Sequence, residues 1–456
     1  ASPRPVPKLK GTFDGREMPE VYDYFTPSTA YKNAYGYAGV RARGGLGYEA
    51  VDWAALVQGQ ATLLFGIPAH SVAPAPARTL GQGGGYYALA LRTDLTTLGI
   101  RQAYVRLGRA NESGVTIGRF DYTQGAEVPL TDPVLDWVRA NRLSKILVGP
   151  LDYNTWGRTE TGLRADLDTQ SVHLTGLLFQ PTQAEPHFAT NVSNVTVAHG
   201  ALVFKNGFVP GGEGQIFYNQ CNDTRFVPQV DDMPGNATHT VNSLGGDKIS
   251  TFGFQYVTRI GTDGDAAAFF AHQGGRWGGQ TQDAYAWFAE MGLRFPKVPW
   301  QPWVRGGYRV FSGDANPNDG VHGTFVADVG DARIKYGMYT NANLREAFAQ
   351  VIMSPSKSQT VRLDLRNFHL DRAADMWYSG SGVVQNSGIN GFTGRPSGGS
   401  TNVGTLFELS YENRIDTHNL LRFYFAKGFG GPVVSTSFPL QSQGHAFNVE
   451  YHYLIP

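Results

Sequence analysis

The chain is predicted to be all-β: a transmembrane antiparallel β-barrel with long extracellular loops. Three observations predict it. Near the C-terminus Phe447, Val449, Tyr451, Tyr453 and Ile455 share one parity, while Asn448, Glu450 and His452 hold the other. Successive strand side chains point to opposite faces, so one face is apolar and aromatic and the other polar, as lipid outside and a wet lumen inside require. The same alternation recurs along most of the chain. Finally, charged residues are only 17% of the sequence, against a typical ~25%. No apolar run approaches the ~18 residues of a spanning helix, so strands must do any crossing.

Residues 1–33 are Pro-rich and read as an irregular N-terminal tail or plug-like segment, with the barrel over 34–456. The start at Ala1 without Met fits a mature protein whose signal peptide has been removed, or a boundary cut elsewhere. Alternation begins at Tyr35. Trp53, Ala55, Val57, Ala61 and Leu63 oppose Gln58, Gln60 and Thr62. Ala103, Val105 and Leu107 oppose Gln102 and Arg106; Leu163, Ala165 and Leu167 oppose Arg164, Asp166 and Asp168. Further on, Tyr285, Trp287, Ala289, Met291 and Leu293 oppose Glu290 and Arg294. Val304, Tyr308 and Val310 oppose Arg305 and Arg309; Val361, Leu363 and Leu365 oppose Arg362, Asp364 and Arg366. Phe407, Leu409 and Tyr411 oppose Glu408, Ser410 and Glu412, and Leu421, Phe423 and Phe425 oppose Arg422. Turn-rich stretches at 81–85, 210–214, 274–279, 312–320, 388–404 and 428–432 separate these segments. One segment is helical in pattern: Asp132 as N-cap, Pro133 at the first turn, then Val134, Leu135 and Val138 predict a short helix over 132–142 within a loop.

A soluble sandwich or propeller would show the same alternation. Its polar face would meet bulk water, where Lys serves as well as Arg. Here the polar faces carry Arg, Asp, Glu and Gln, and planar guanidinium–carboxylate pairing suits a crowded lumen. The aromatic residues Tyr35, Tyr37, Trp53, Tyr285, Tyr308, Tyr411, Tyr451 and Tyr453 are expected to face lipid near the two interfaces.

Composition excludes several functions. Lys plus Arg equals Asp plus Glu at 38 each, which offers no basic excess for nucleic acid. The single Cys221 precludes an internal disulfide and disfavours a thiolate metal site. There is no Gly-x-Ser-x-Gly elbow or His-Glu-x-x-His motif, so neither a catalytic set nor a cofactor is expected. Asp314, Asn316 and Asn318 alternate as calcium ligands do, but the glycine falls late; Asx turns are the alternative reading.

Several pieces resemble the alginate-export outer-membrane family. They are Leu80-Gly81-Gln82-Gly83, Arg101-Gln102-Ala103-Tyr104-Val105, Gly118-Arg119-Phe120, Ser312-Gly313-Asp314 with Pro317, Gly323-Thr324-Phe325, and Asp375-Met376-Trp377-Tyr378. Their order and spacing carry the resemblance. It implies a monomeric barrel of about 18 strands in the bacterial outer membrane, among lipid and lipopolysaccharide and open to periplasmic export or secretion partners. It also implies a lumen lined by arginines and some carboxylates.

The inward parity holds Arg41, Arg43, Arg106, Arg119, Arg164, Arg294, Arg305, Arg309, Arg362, Arg366, Arg414 and Arg422, with Asp166, Asp168, Glu290, Asp364, Glu408 and Glu412 as acids. The pore-lining set expected at the constriction is Arg106, Arg119, Arg305, Arg309, Arg362, Arg366, Arg422, Asp364 and Glu290. Arg305 and Arg309 would stand about 13 Å apart along one strand, Arg362 and Arg366 would repeat that spacing on another, and two such strands facing each other would make a cationic track. Such a track could pass a chain of carboxylates from site to site. Each arginine also has a simpler reading, in which it holds neighbouring strands in register with an acid. Function therefore divides into a passive channel for a polysaccharide or other anionic solute, and a structural barrel that sheaths or anchors a partner with little conductance.

Overall fold

The computed structural model describes all residues except 1–7, 32, 110–111, 206–210, 234–238, 328, 332–335, 338, 380–384, 388–391 and 456. The start at Ala1 thus lies outside the described residues. Among those described, eighteen strands form one closed antiparallel barrel. They are β1 (Lys8–Asp23), β2 (Ala34–Glu49), β3 (Trp53–Phe65), β4 (Leu95–Leu107), β5 (Gly114–Phe120), β6 (Glu160–Asp168), β7 (Val172–Pro181), β8 (Val195–Phe204) and β9 (Gly212–Asp223). The second half comprises β10 (Asp247–Ile260), β11 (Gly264–Trp277), β12 (Gln280–Arg294), β13 (Trp303–Phe311), β14 (Leu344–Ser356), β15 (Gln359–His369), β16 (Asn402–Arg414), β17 (Asn419–Gly430) and β18 (Gln443–Ile455). No helix among the described residues is long and apolar enough to cross a membrane.

Each strand pairs with its sequence neighbour, and β1 pairs with β18 to close the ring, Phe13 opposite Ile455 and Tyr22 opposite Ala446. The irregular segment expected over 1–33 is corrected here. Residues 8–23 are a strand, and without it the edges of β2 and β18 would stay unpaired, which a barrel in lipid cannot tolerate. Its proline sits at Pro19, opposite Ala38 of β2, and the β18 ladder skips that stretch.

Short connections (50–52, 108–113, 169–171, 205–211, 261–263, 295–302, 357–358, 415–418) gather at one end, together with the outer ends of β1 and β18. The other end carries the long loops 66–94, 121–159, 182–194, 224–246, 312–343 and 370–401. In outer-membrane barrels the short turns face the periplasm and the long loops the exterior.

The outer face is apolar: Leu46, Val57, Leu98, Ile117, Leu163, Leu178, Phe254, Met291, Leu365 and Ile455 are all exposed, as a lipid-facing surface requires. The packed core is inside. Tyr24, Phe25, Leu80, Tyr86, Val138, Leu143, Leu147, Trp156, Phe325, Tyr336, Trp377 and Phe438, all from loops, join inward strand residues in a single apolar cluster. The long loops therefore fold into the barrel.

Several loop segments are helical, among them a helix at Pro432–Ser437 and a 3-10 turn at Val241–Leu244. α1 (Gly81–Ala90) replaces the turn expected at 81–85. Glycine serves here for close approach: a Cβ at Gly81 would lie 2.6 Å from the Tyr35 hydroxyl, and one at Gly83 2.7 Å from the Tyr35 ring. α2 (Pro133–Val138) matches the expected helix, with the Asp132 carboxylate accepting from the Val134 and Leu135 amides at 2.8 and 3.2 Å. It continues as one π-helical stretch over Arg139–Leu143.

Of the eight expected interfacial aromatics, Trp53, Tyr308 and Tyr451 are exposed and Tyr285, Tyr411 and Tyr453 partly so. Tyr35 and Tyr37 are the exceptions: both are buried. They share parity with Arg41 and Arg43, which are also buried on the inward face. Strand geometry allows only one side for all four, and the guanidiniums decide it. Tyr35 stacks on Tyr22 at 5.6 Å, and its hydroxyl donates to the Leu80 carbonyl at 2.7 Å.

Candidate channel site

The charged inward face carries several networks of ion pairs. On β13, Arg305 pairs with Asp265 of β11, and Arg309 Nε donates to Glu290 of β12 at 3.0 Å. Arg366 on β15 joins three acids: Glu346 of β14 at 2.5 Å, Asp364 at 3.1 Å and Glu408 of β16 at 2.7 Å. Tyr424 of β17 donates to Glu408 at 2.6 Å. Arg422 bridges Glu412 and Glu450 at 2.7 and 2.8 Å, and Arg16 of β1 meets Glu450 at 2.9 Å. Beyond the seam, Asp14 holds Arg41 at 3.1 Å, and Asp166 of β6 holds Arg106 and Arg164 at 2.9 and 3.0 Å.

Loop 121–159 docks onto these networks. Arg142 makes a bidentate pair with Glu290, at 2.8 Å from Nε and 2.9 Å from Nη2, and stacks over Phe348 at 4.2 Å. Arg139 reaches Glu213 of β9 at 3.1 Å. On the other side of the loop, Asp152 accepts from Arg41 at 3.1 Å and Arg43 at 2.9 Å. The loop thus spans the barrel between two walls. Burial lowers the Arg142 guanidinium below its ordinary value, Arg309 beside it adds to that, and Glu290 opposes both.

Depth divides the arginines. The side chains of Arg305, Arg309 and Arg366 are 0%, 2% and 4% exposed. Those of Arg362, Arg422 and Arg164 are 33%, 43% and 22% exposed. At ~3.3 Å per residue, Arg362, Arg422 and Arg106 lie within ~10 Å of the short-turn strand ends and Arg164 within ~13 Å. They form an arc from β15 through β18 and β1 to β6. Each has one or two carboxylates close by: Arg362 meets Asp364 at 3.0 Å.

Two site expectations are corrected. Arg119 pairs in register with Ala103 and shares parity with the exposed Ile117. It is on the outer face, where it donates to the Ala189 carbonyl and Asn191 of loop 182–194 at 2.7 and 3.0 Å. In addition, β13 and β15 do not face each other: they flank β14 on one wall. Arg305, Arg309 and Arg366 are therefore spent on interleaved acids and make no bare cationic track. The Asp314 loop closes on its own backbone: the Asp314 and Asn316 side chains accept from the Asn316 and Asn318 amides at 2.8 and 3.2 Å. No group of three or more His, Cys, Asp or Glu side chains that could hold a metal occurs among the described residues, and the alternating oxygens of this loop make the Asx turns of the alternative reading.

Sequence reading missed Arg142, Glu346, Asp265 and Asp152. Glu346 sits in Arg345-Glu346-Ala347-Phe348-Ala349, where Phe348 shares the acid's parity and blurs the alternation. Arg142 and Asp152 are loop residues, and loops carry no inward parity to read.

The profile of the alginate export family matches residues 82–439. No curated protein matches the sequence. The outer membrane protein OpdK of Pseudomonas aeruginosa is similar at 9% identity and a TM-score of 0.53, covering 98% of this chain and 99% of that one. OccK8 (OprE) of the same organism is similar at 11% and 0.56, and OccAB4 of Acinetobacter baumannii at 8% and 0.54, each over 98% of both chains. At such identities the likeness is one of fold.

Proposed function

The chain belongs to the alginate export family and is a bacterial outer-membrane barrel of porin type, and from that premise we propose that it is a passive channel for an anionic, oligomeric solute entering at the short-turn mouth. The observation that carries this reading is the arc of partly exposed arginine side chains, Arg106, Arg164, Arg362 and Arg422, which are 12%, 22%, 33% and 43% open to solvent. Each retains solvent access while a neighbouring acid moderates its charge. A carboxylated chain can then exchange with those acids at one guanidinium after another, held firmly enough to enter and loosely enough to leave. No catalytic step is part of the reading.

The test is ion selectivity in planar bilayers under a KCl gradient. The wild-type barrel is expected to prefer anions, and R362E/R422E to shift the reversal potential toward cation preference with folding intact. An unmoved reversal potential in the folded variant ends the assignment of the mouth.

A second reading has one observation in its favour. The loops pack a continuous apolar cluster inside the barrel, as suits a barrel that sheaths or anchors a periplasmic or extracellular partner with little conductance. A sealed wild-type barrel, opened only when loop 121–159 is shortened, would favour it over the channel.

A further inference from the structure

The outer wall of β9–β12 is graded in polarity row by row. Register places Ile216, Phe254, Phe270 and Trp287 side by side across four strands, all exposed. Two residues nearer the long-loop end stand Tyr218, Phe252, His272 and Tyr285. The next row is Gln220, Ser250, Gly274 and Asp283, and the last is Asn222, Lys248, Arg276 and Thr281. From the first row to the last is about 20 Å along the strands, or roughly 15 Å in height at a 35–45° tilt. This is the sequence of environments a lipid presents: acyl chain, interface, polar glycan, charged headgroup.

The top row is unusual. Lys248 and Arg276 are exposed and directly opposite one another. Directly opposed residues place their Cβ atoms ~5 Å apart, and like charges there repel. The flanking positions are Asn222 and Thr281, both neutral. The outward acid one row below, Asp283, is engaged with His272 at 3.0 Å. Arg276 also donates to the Gly245 carbonyl, which steadies it at the rim. Two cations, an amide and a hydroxyl in one row are the donors a phosphate monoester accepts from.

We propose that Asn222, Lys248, Arg276 and Thr281 form a binding site for the phosphoryl group of an outer-leaflet glycolipid, with its acyl chains lying on Ile216, Phe252, Phe254, Phe270 and Trp287. The site rests on residence in the outer membrane and is independent of what the lumen carries. Bound lipid removes the Lys248–Arg276 repulsion and fastens the β9–β12 wall to its leaflet.

The experiment uses the full chain folded in detergent, titrated with bisphosphorylated lipid A and followed by native mass spectrometry. The K248Q/R276Q variant is expected to bind at least tenfold more weakly, and K357Q, at a short turn, as wild type. K248R/R276K is expected to retain binding. Phosphate-free lipid A should bind wild type and K248Q/R276Q alike and weakly. Equal affinity of wild type and K248Q/R276Q for the bisphosphorylated lipid would overturn the proposal. So would phosphate-free lipid binding as tightly, or inorganic pyrophosphate displacing the lipid at equal concentration, which marks a plain anion site. Heat-modifiable gel migration confirms that each variant is folded.

Discussion

The sealed wall of β11–β16 and the short-turn mouth are built from the same residue types on the same inward parity, yet they do different things. On that wall Arg305, Arg309 and Arg366 are sealed among Asp265, Glu290, Glu346, Asp364 and Glu408, and Arg142 is clamped on from a loop. At the mouth Arg362 and Arg422 pair with acids as well, but remain a third or more open to solvent. Buried pairs are hard to break because whatever is left behind is an unpaired buried charge. Exposed pairs exchange partners at little cost. An arginine here is scaffold or contact surface according to its depth and not its type.

The comparison breaks most visibly at Glu290. Glu290→Ala strands Arg142 and Arg309 without their shared carboxylate and is expected to destabilise the folded barrel by about 3–5 kcal/mol, read as a lower urea midpoint in lipid vesicles. An unchanged midpoint would mean that water already reaches this cluster.

Arg142→Gln acts on the clamp alone, since Glu290 keeps Arg309. Charge-assisted bonds contribute ~1.5–3 kcal/mol each, so the unlatched population of loop 121–159 should rise roughly tenfold or more. Single-channel recording should show longer or larger open events. Identical traces would place the obstruction in another loop.

A pH effect sharpens the contrast between loop interior and mouth. Burial pushes the Asp331 carboxyl from 3.8 up to about 6, where it accepts from the Leu151 amide and joins loops 312–343 and 121–159. A raised carboxyl favours the protonated folded state. The stabilisation is complete below the unfolded value and is lost as pH climbs through about 6. Both loops should therefore resist protease better at pH ~5 than at ~7.5, and Asp331→Asn should abolish the difference. Equal cleavage of the wild type at both values would refute the coupling.

The smallest effect is expected at the mouth. Arg422→Gln should cost under ~1 kcal/mol in unfolding, because Arg16 still meets Glu450 and Glu412 is solvated. A loss comparable to that of Glu290→Ala would erase the distinction between the two regions.

Much of the barrel is legible in the residue order. The alternations at Trp53–Leu63, Tyr285–Leu293, Val304–Val310, Val361–Leu365 and Phe447–Ile455 read directly as strands with an apolar outer face. The inward positions of Glu290, Arg305, Arg309, Asp364 and Arg366 follow from the same parity. Reading was poorer where polarity and parity conflict. Tyr35 and Tyr37 look interfacial by type but share a face with Arg41 and Arg43. Arg119 looks inward by type but follows Ile117 outward. Lys8–Asp23 looks like a tail because the prolines just before it, Pro19 and its charges hide a strand that is stabilised by having β2 and β18 on either side.

By itself, the sequence determined where most of the strands lie and which of their faces is apolar. Period-2 alternation is a local property, and each strand states it independently of the rest of the chain. The tertiary structure decided what the interior does. Whether Arg366 is buried and Arg422 open depends on how far loops from 121–159 to 370–401 descend into the lumen. The clamp at Glu290 joins Arg142 to a strand 148 residues away. Burial and pairing of that kind are properties of the assembled space, set by which distant groups fill it, and no local pattern encodes them.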